Sequence, residues 1–341
     1  MTRASVVVAP YPRGISETFD DTTWEELNEL VDVVWGRDEP IPADVLAESI
    51  ANATAVAFGE WPSAPDVLEA AGPGLRALFE MLGSHNHPNL DYARCFERGV
   101  RVGSVAPAFG RVVAEMCLAL ALSAARGVAV SDRGFRTRSE VYLHGGNTGN
   151  SILFGKTVGF VGCGSISRAL QPLLEPFGMT MLGFDPWLDD AVFARRGIER
   201  VELNALFRRS QIVFVLAVPT PANKHMIGDQ LLQALDHEDV LVVASRAHLV
   251  DFDALTDHLR AGHFKAGIDV FPEEPLSPDH PIRDTESAVL TAHLAGALPE
   301  ALQEIGRMLV ADIRSILDGV EPVRLQYADE RLVRSLRSSG R

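Results

Sequence analysis

The sequence predicts an α/β protein of two doubly wound domains, one inserted in the other. Three observations carry that expectation. From about residue 157, short β-branched runs alternate with amphipathic stretches, the pattern of a parallel sheet covered by helices on both faces. The first hundred residues carry a looser version of the same alternation. Two long apolar-faced segments, 112–129 and 299–319, are placed to take the chain into a second domain and back. At 341 residues there is enough chain for two cores.

Taken in order, the opening MTRASVVVAPYPRG has too short an apolar run for a signal peptide and reads as a buried first strand at 5–9. Further strands are expected at 54–59, 76–82 and 100–105, with helices between them. After the crossing helix, strands follow at 157–161, 179–184, 211–218, 239–245, 266–271 and 287–291. The stretch DFDALTDHLRAG (251–262) reads as a helix opened by Asp251 and closed by Gly262. The expected boundaries are 1–110 with 298–341 for a smaller, discontinuous flavodoxin-like domain, and 111–297 for a Rossmann-like one, with a cleft between the lobes. The arginine-rich last twenty residues read as a solvated tail.

Composition excludes several classes. A net charge of −15 argues against nucleic acid and anionic membrane surfaces, which both select a basic face. The longest apolar runs, such as 116–124 and 212–219, fall short of the ~18 residues of a spanning helix. Cys95, Cys117 and Cys163 are scattered; they suggest no disulfide framework and no metal site, and fit a reducing, cytoplasmic setting.

The run TVGFVGCGSISRAL (157–170) places Gly162 and Gly164 at the first two positions of a G-x-G-x-x-G turn, with Ser167 at the third. The first glycine makes the turn and the second admits a pyrophosphate, held by the helix amides that begin at Ser165 and Ile166. The third only keeps helix close to strand, so serine is a mild replacement. Asp185 ends the next strand, 23 positions after Gly162, where an acid would accept the ribose hydroxyls and repel a 2′-phosphate. That spacing predicts NAD rather than NADP.

Four more residues fall at or beyond expected strand ends: Arg246, Asp269, Glu274 and His293. Ligands of an open α/β sheet gather at those ends. Reduction of a 2-oxo acid needs a cation for the carboxylate and a proton donor for the carbonyl oxygen. Arginine supplies a planar fork for the first; histidine, oriented by a carboxylate, supplies the second. Glu273 is the rival of Glu274, and His248 is expected at the surface.

On these residues the chain resembles the D-isomer-specific 2-hydroxyacid dehydrogenases, most strongly over 155–296. GKTVGFVGCGSISRAL (155–170) is similar to that family's fingerprint, and LAVPTPANKHMI (216–227) to its segment along the cofactor, which implies roles there for Pro219 and Thr220. RAHLVDFDAL (246–255), DVFPEEPL (269–276) and LTAHLAGA (290–297) resemble the segments of its catalytic residues. The resemblance implies that Arg246, Glu274 and His293 are the catalytic trio, that Asp269 lies near the nicotinamide carboxamide, and that the enzyme pairs as a homodimer. It also implies that the loop GSHNHPNLD (83–91) takes the substrate carboxylate, with Ser84 and His85 joining Arg246 in substrate binding.

The departures from the family pattern are Val243 for Asn, Ala247 for Gly, Ala292 for Pro, and Phe109 and Arg111 where small or acidic residues are usual. The expected activity is reduction of a small 2-oxo acid such as glyoxylate or hydroxypyruvate with NADH. The alternatives are an NAD(H)-sensing binding protein with vestigial activity and a phosphoglycerate dehydrogenase.

Overall fold

The computed structural model describes residues 3–64, 67–83 and 87–337. The chain divides into two compact units, Met1–Phe109 with Ala297–Arg341, and Gly110–Gly296.

In the first unit five parallel strands form most of the sheet: β1 (Ser5–Ala9), β2 (Asp32–Trp35), β3 (Ala55–Phe58), β4 (Ala77–Glu80) and β5 (Arg101–Ser104). They lie in the order β5-β4-β3-β1-β2, a flavodoxin-like arrangement whose order reverses between β1 and β3. Consecutive residues Val6, Val7 and Val8 are all buried, because helices cover both faces of the sheet. The edge strand β2 escaped the sequence reading: it is half-buried, opens on exposed Asp32, and follows a helix without a turn signal.

The C-terminal segment also differs from the expected tail. Gln326–Tyr327 pairs antiparallel with β5, and Glu330–Arg337 is a helix. The anchor is Asp312, fully buried on helix Pro299–Leu317. Its carboxylate accepts the N–H groups of Val323, Arg324 and Leu325 and the Tyr327 hydroxyl. A buried carboxylate is tolerable only when its oxygens are satisfied in this way.

The second unit has seven parallel strands: β6 (Thr157–Val161), β7 (Thr180–Phe184), β8 (Glu199–Arg200), β9 (Ile212–Val215), β10 (Val240–Val243), β11 (Lys265–Ile268) and β12 (Ala288–Leu290). Their order is β12-β11-β10-β9-β6-β7-β8, the Rossmann sequence with its switch point between β6 and β9. The expected α/β class is therefore what both units adopt. Helix Phe252–Arg260 is capped by the Asp251 carboxylate, which accepts the Ala254 N–H. Gly262 ends the element in the left-handed region at φ +65°.

The apolar run 116–124 belongs to a longer stretch than the sequence reading allowed. Ala106–Ala125 is long and apolar enough, by length and composition alone, to cross a membrane. Half of it is buried inside the protein. Its part Gly110–Arg126 packs on helix Ser165–Leu174 and on β10 and β11, so its buried half belongs to the core.

Candidate active site

Every sequence-predicted residue of the second unit lies in the segment that follows the carboxyl end of a strand. Gly162 follows β6 at φ +93°, and a Cβ there would stand 2.5 Å from the Ala217 backbone. Only glycine permits that approach at the switch point. Gly164 meets the opposite condition: a Cβ would touch nothing within 4 Å, so no protein atom explains its lack of a side chain. It is the N-cap of the ten-residue helix Ser165–Leu174 and contributes no capping side chain. The first amides of that helix, from Ser165 and Ile166, are left for an anion. A dinucleotide's pyrophosphate fits this open cradle.

Ser167 is fully buried and donates to the Gly164 carbonyl at 3.1 Å. It also accepts from Arg196 Nη2 at 3.0 Å, while Arg196 Nη1 donates to the Cys163 carbonyl at 2.7 Å. On the other face of the same turn, the Cys163 N–H donates to Asp185 Oδ2 at 2.9 Å. The peptide groups around Cys163 are thus held by an acid on one side and a base on the other. The serine that replaces the packing glycine is one anchor of this clamp. Sequence spacing gave no signal for Arg196, 29 positions beyond Ser167. Burial pushes the Cys163 thiol up to about 12, so it is no nucleophile at neutral pH.

Asp185 follows β7. Its second oxygen, Oδ1, accepts the Trp187 N–H at 2.9 Å, which shapes the turn after the strand. A carboxylate has about four acceptor sites, so ribose hydroxyls still find lone pairs there. Pro219 and Thr220 lie in the loop after β9. The Thr220 N–H donates to Asn223 Oδ1 at 2.7 Å, and its carbonyl bonds His248 Nε2 at 2.9 Å. His248 is therefore half-buried and fastens this loop, where the sequence reading expected surface. Ser245, also missed, donates to the carbonyls of Val215 and Ala217 and ties the ends of β9 and β10 together.

Arg246 follows β10, with Nη1 donating to the Ser245 carbonyl at 2.7 Å. The neighbouring departures are accommodated. Ala247 starts a 3₁₀ turn outside the left-handed region, so its backbone does not require a glycine. Val243 ends β10 inside the core.

Glu274 and His293 come together. His293 Nδ1 and Glu274 Oε2 are 2.6 Å apart, and Glu274 Oε1 accepts the Phe271 N–H at 2.9 Å. Burial alone would raise the Glu274 pKa. The bonds from His293 and Phe271 and the charges of His293 and Arg246 outweigh it, and hold the carboxyl below its ordinary range. With Glu274 at Nδ1, the opposite ring nitrogen, Nε2, is the atom left to exchange a proton.

His293 has φ +54°, a left-handed conformation that is uncommon outside glycine and persists only where the surroundings impose it. Asp269 imposes it. This residue is fully buried; its carbonyl accepts the His293 N–H at 2.8 Å. Its carboxylate accepts the Leu294 and Ala295 N–H groups and the Thr291 hydroxyl at 2.9, 3.0 and 2.6 Å. Asp269 thus lies beneath the histidine turn, with its carboxylate bonded to two backbone amides and the Thr291 hydroxyl. Ser84 and His85 lie outside the described residues. Among the described residues no group of three metal-ligating side chains occurs.

The family described as D-isomer specific 2-hydroxyacid dehydrogenase, NAD binding domain, matches residues 118–295. A glyoxylate reductase of Korarchaeum cryptofilum is 30% identical over 86% of this chain and 88% of its own length. A D-3-phosphoglycerate dehydrogenase of Mycobacterium tuberculosis is 30% identical over 89% of this chain. The alignment spans only 56% of that longer relative. The crystal structure of a phosphoglycerate oxidoreductase from Rhizobium etli superposes with a TM-score of 0.86 at 30% identity, covering 96% of this chain and 99% of that one.

Proposed function

Since this chain belongs to the D-isomer specific 2-hydroxyacid dehydrogenase family, we propose that it reduces a small 2-oxo acid of the glyoxylate or hydroxypyruvate kind with NADH. The family carries the coarser facts: the chain is an oxidoreductase, its cofactor is NAD, and it acts on the CH–OH group of 2-hydroxy acids. The observation that carries the chemistry of this reading is the 2.6 Å Glu274–His293 contact with Arg246 close by. When bound, the nicotinamide supplies the hydride. In this reading Arg246 grips the carboxylate and polarises the adjacent carbonyl, and His293 passes a proton to its oxygen while Glu274 stabilises the charged ring. The unit Gly110–Gly296 holds the nucleotide in this reading. The second reading, oxidation of a phosphoglycerate, is favoured by the mycobacterial and rhizobial relatives.

The test is a panel of 2-oxo acids assayed with NADH and with NADPH. We expect glyoxylate or hydroxypyruvate to be turned over and NADH to be clearly preferred. Asp185→Asn keeps an acceptor for the Cys163 N–H but loses the charge, so the preference should shrink. Equal efficiency with both cofactors would remove the ribose role of Asp185. Binding of NADH with no turnover of any acid would favour a sensing protein instead.

The proposed assembly is a homodimer. Helix Val128–Thr137 has no buried residue, although it carries Val128, Val130 and Phe135; Tyr142, Leu143 and Phe154 nearby are also exposed, Leu143 at 85%. Apolar surface this concentrated is rare on a monomer, and a second copy of the chain, which offers the same patch, would cover it. Light scattering should give twice the 37.0 kDa chain mass, and Leu143→Asp with Phe135→Asp should halve it. A monomeric unmodified protein would sink the idea. The three cysteines are buried and free, which supports the cytoplasmic placement.

A further inference from the structure

The turn after β6 is gripped by a cation that the G-x-G-x-x-G pattern does not call for. Arg196 follows helix Asp190–Arg195 and engages all three of its side-chain nitrogens. Nε donates to Gln171 Oε1 at 3.3 Å, Nη1 to the Cys163 carbonyl at 2.7 Å and Nη2 to Ser167 Oγ at 3.0 Å. The Gln171 side-chain amide in return donates to the Arg196 carbonyl. Backbone and side chain of Arg196 are thus both fixed, and the guanidinium plane has one orientation. Ser167 relays the grip. The oxygen that accepts from Arg196 donates its own proton to the Gly164 carbonyl at 3.1 Å.

These bonds decide where two amides point. The peptide bonds on either side of Gly164 are trans, and in a trans peptide the N–H points away from the C=O. Holding the Cys163 carbonyl toward Arg196 therefore turns the Gly164 N–H to the opposite side. Holding the Gly164 carbonyl toward Ser167 does the same for the Ser165 N–H. Among the described residues no backbone acceptor bonds the Gly164 N–H, and the Ser165 N–H is one of the unpaired first amides of its helix. Successive N–H groups aimed one way make a concave anion site, and the bare Cα of Gly164 leaves its approach open. A cation on the Cys163 carbonyl also polarises that peptide group as a whole, which makes the Gly164 N–H the better donor.

The serine is therefore more than a mild replacement. A glycine at 167 would give Arg196 Nη2 no acceptor and the Gly164 carbonyl no hydroxyl. We propose that Arg196 and Ser167 are positioning residues for the dinucleotide, a pair that aims the Gly164 and Ser165 amides at its pyrophosphate. This rests on the cofactor placement above and is independent of which acid is reduced.

Binding to the full chain tests the pair without turnover. Calorimetry of NADH and of ADP reads the pyrophosphate site, and adenosine, followed by ligand-observed NMR, reads the nucleoside site alone. Arg196→Met should weaken NADH and ADP by about tenfold, the order of a hydrogen bond to a charged group, while adenosine stays within about twofold. Ser167→Ala should weaken NADH by about threefold or more, and so should Ser167→Gly, although it restores the residue of the pattern. In the double variant Arg196→Met with Ser167→Ala, the loss should fall short of the product of the single losses, because Nη2 and Oγ are partners. Four results would each overturn the proposal: unchanged NADH affinity in Arg196→Met, an equal loss for ADP and adenosine, unchanged or tighter NADH binding in Ser167→Gly, or a full product in the double variant. Thermal melting verifies that each variant is folded. Should Arg196→Met fail to fold, Ser167→Ala decides the same point through the ADP and adenosine comparison. If the unmodified enzyme reduces no 2-oxo acid, the proposed activity fails while these affinities still decide the role of Arg196.

Discussion

Arg246→Lys should lower kcat/KM for 2-oxo acid reduction by roughly 10²-fold or more while leaving NADH affinity nearly unchanged. The substitution keeps a positive charge at the end of β10 but removes the planar fork. In the native side chain Nη1 is spent on the Ser245 carbonyl at 2.7 Å, which fixes the guanidinium plane. The remaining donors stay available to a carboxylate in a set direction. A lysine ammonium has no second nitrogen to make both bonds, so carboxylate grip and carbonyl polarisation are lost together. Stopped-flow reduction and fluorescence titration of NADH separate the two effects. Near-normal kcat/KM in the variant would mean that another cation holds the acid.

The fold was legible where burial on both faces makes apolar runs continuous. Val6–Val8 in β1 and Val240–Val243 in β10 read as strands because parallel sheets exclude water from both sides. The short strands were not legible. Glu199–Arg200 and Gln326–Tyr327 have two residues each, and their pairing is decided by tertiary contacts. The second depends on Asp312, whose bonds to residues 323–325 join positions 11 to 13 apart through no local pattern.

The site was legible to the extent that chemistry follows strand order. Gly162, Asp185, Arg246, Glu274 and His293 follow β6, β7, β10, β11 and β12. What stayed hidden is the support beneath them. Arg196 reaches the Cys163 carbonyl across 33 positions, and His248, two residues from Arg246, turns to the Thr220 carbonyl instead of to solvent. A backbone angle such as the +54° φ of His293 leaves no mark in a residue name. Its cause, the Asp269 carboxylate beneath Leu294 and Ala295, becomes visible only once the chain is folded.

The Glu274–His293 pair carries the other large effect. His293→Ala should cost on the order of 10²–10⁴-fold in both directions, because proton transfer to and from the substrate oxygen is lost. The pH profile tests the carboxylate behind it. Glu274 is held below the ordinary carboxylate range, so it stays an anion as pH falls through that range, and its own protonation cannot shape the profile between pH 5 and 8. Histidine is the side chain that ordinarily exchanges its proton in that interval. Reduction consumes a protonated ring and should decline as pH rises; oxidation needs a neutral ring and should grow over the same interval. Glu274→Gln keeps an oxygen that can accept the Phe271 N–H but removes the negative charge opposite the ring. Without that charge the protonated ring is less favoured, and both limbs should move to lower pH. Recording kcat/KM against pH for both reactions, in the native enzyme and in Glu274→Gln, reads the shift directly. If the limbs stay in place, the 2.6 Å contact does not set the charge of the catalytic ring, and Glu273 becomes the carboxylate to substitute next.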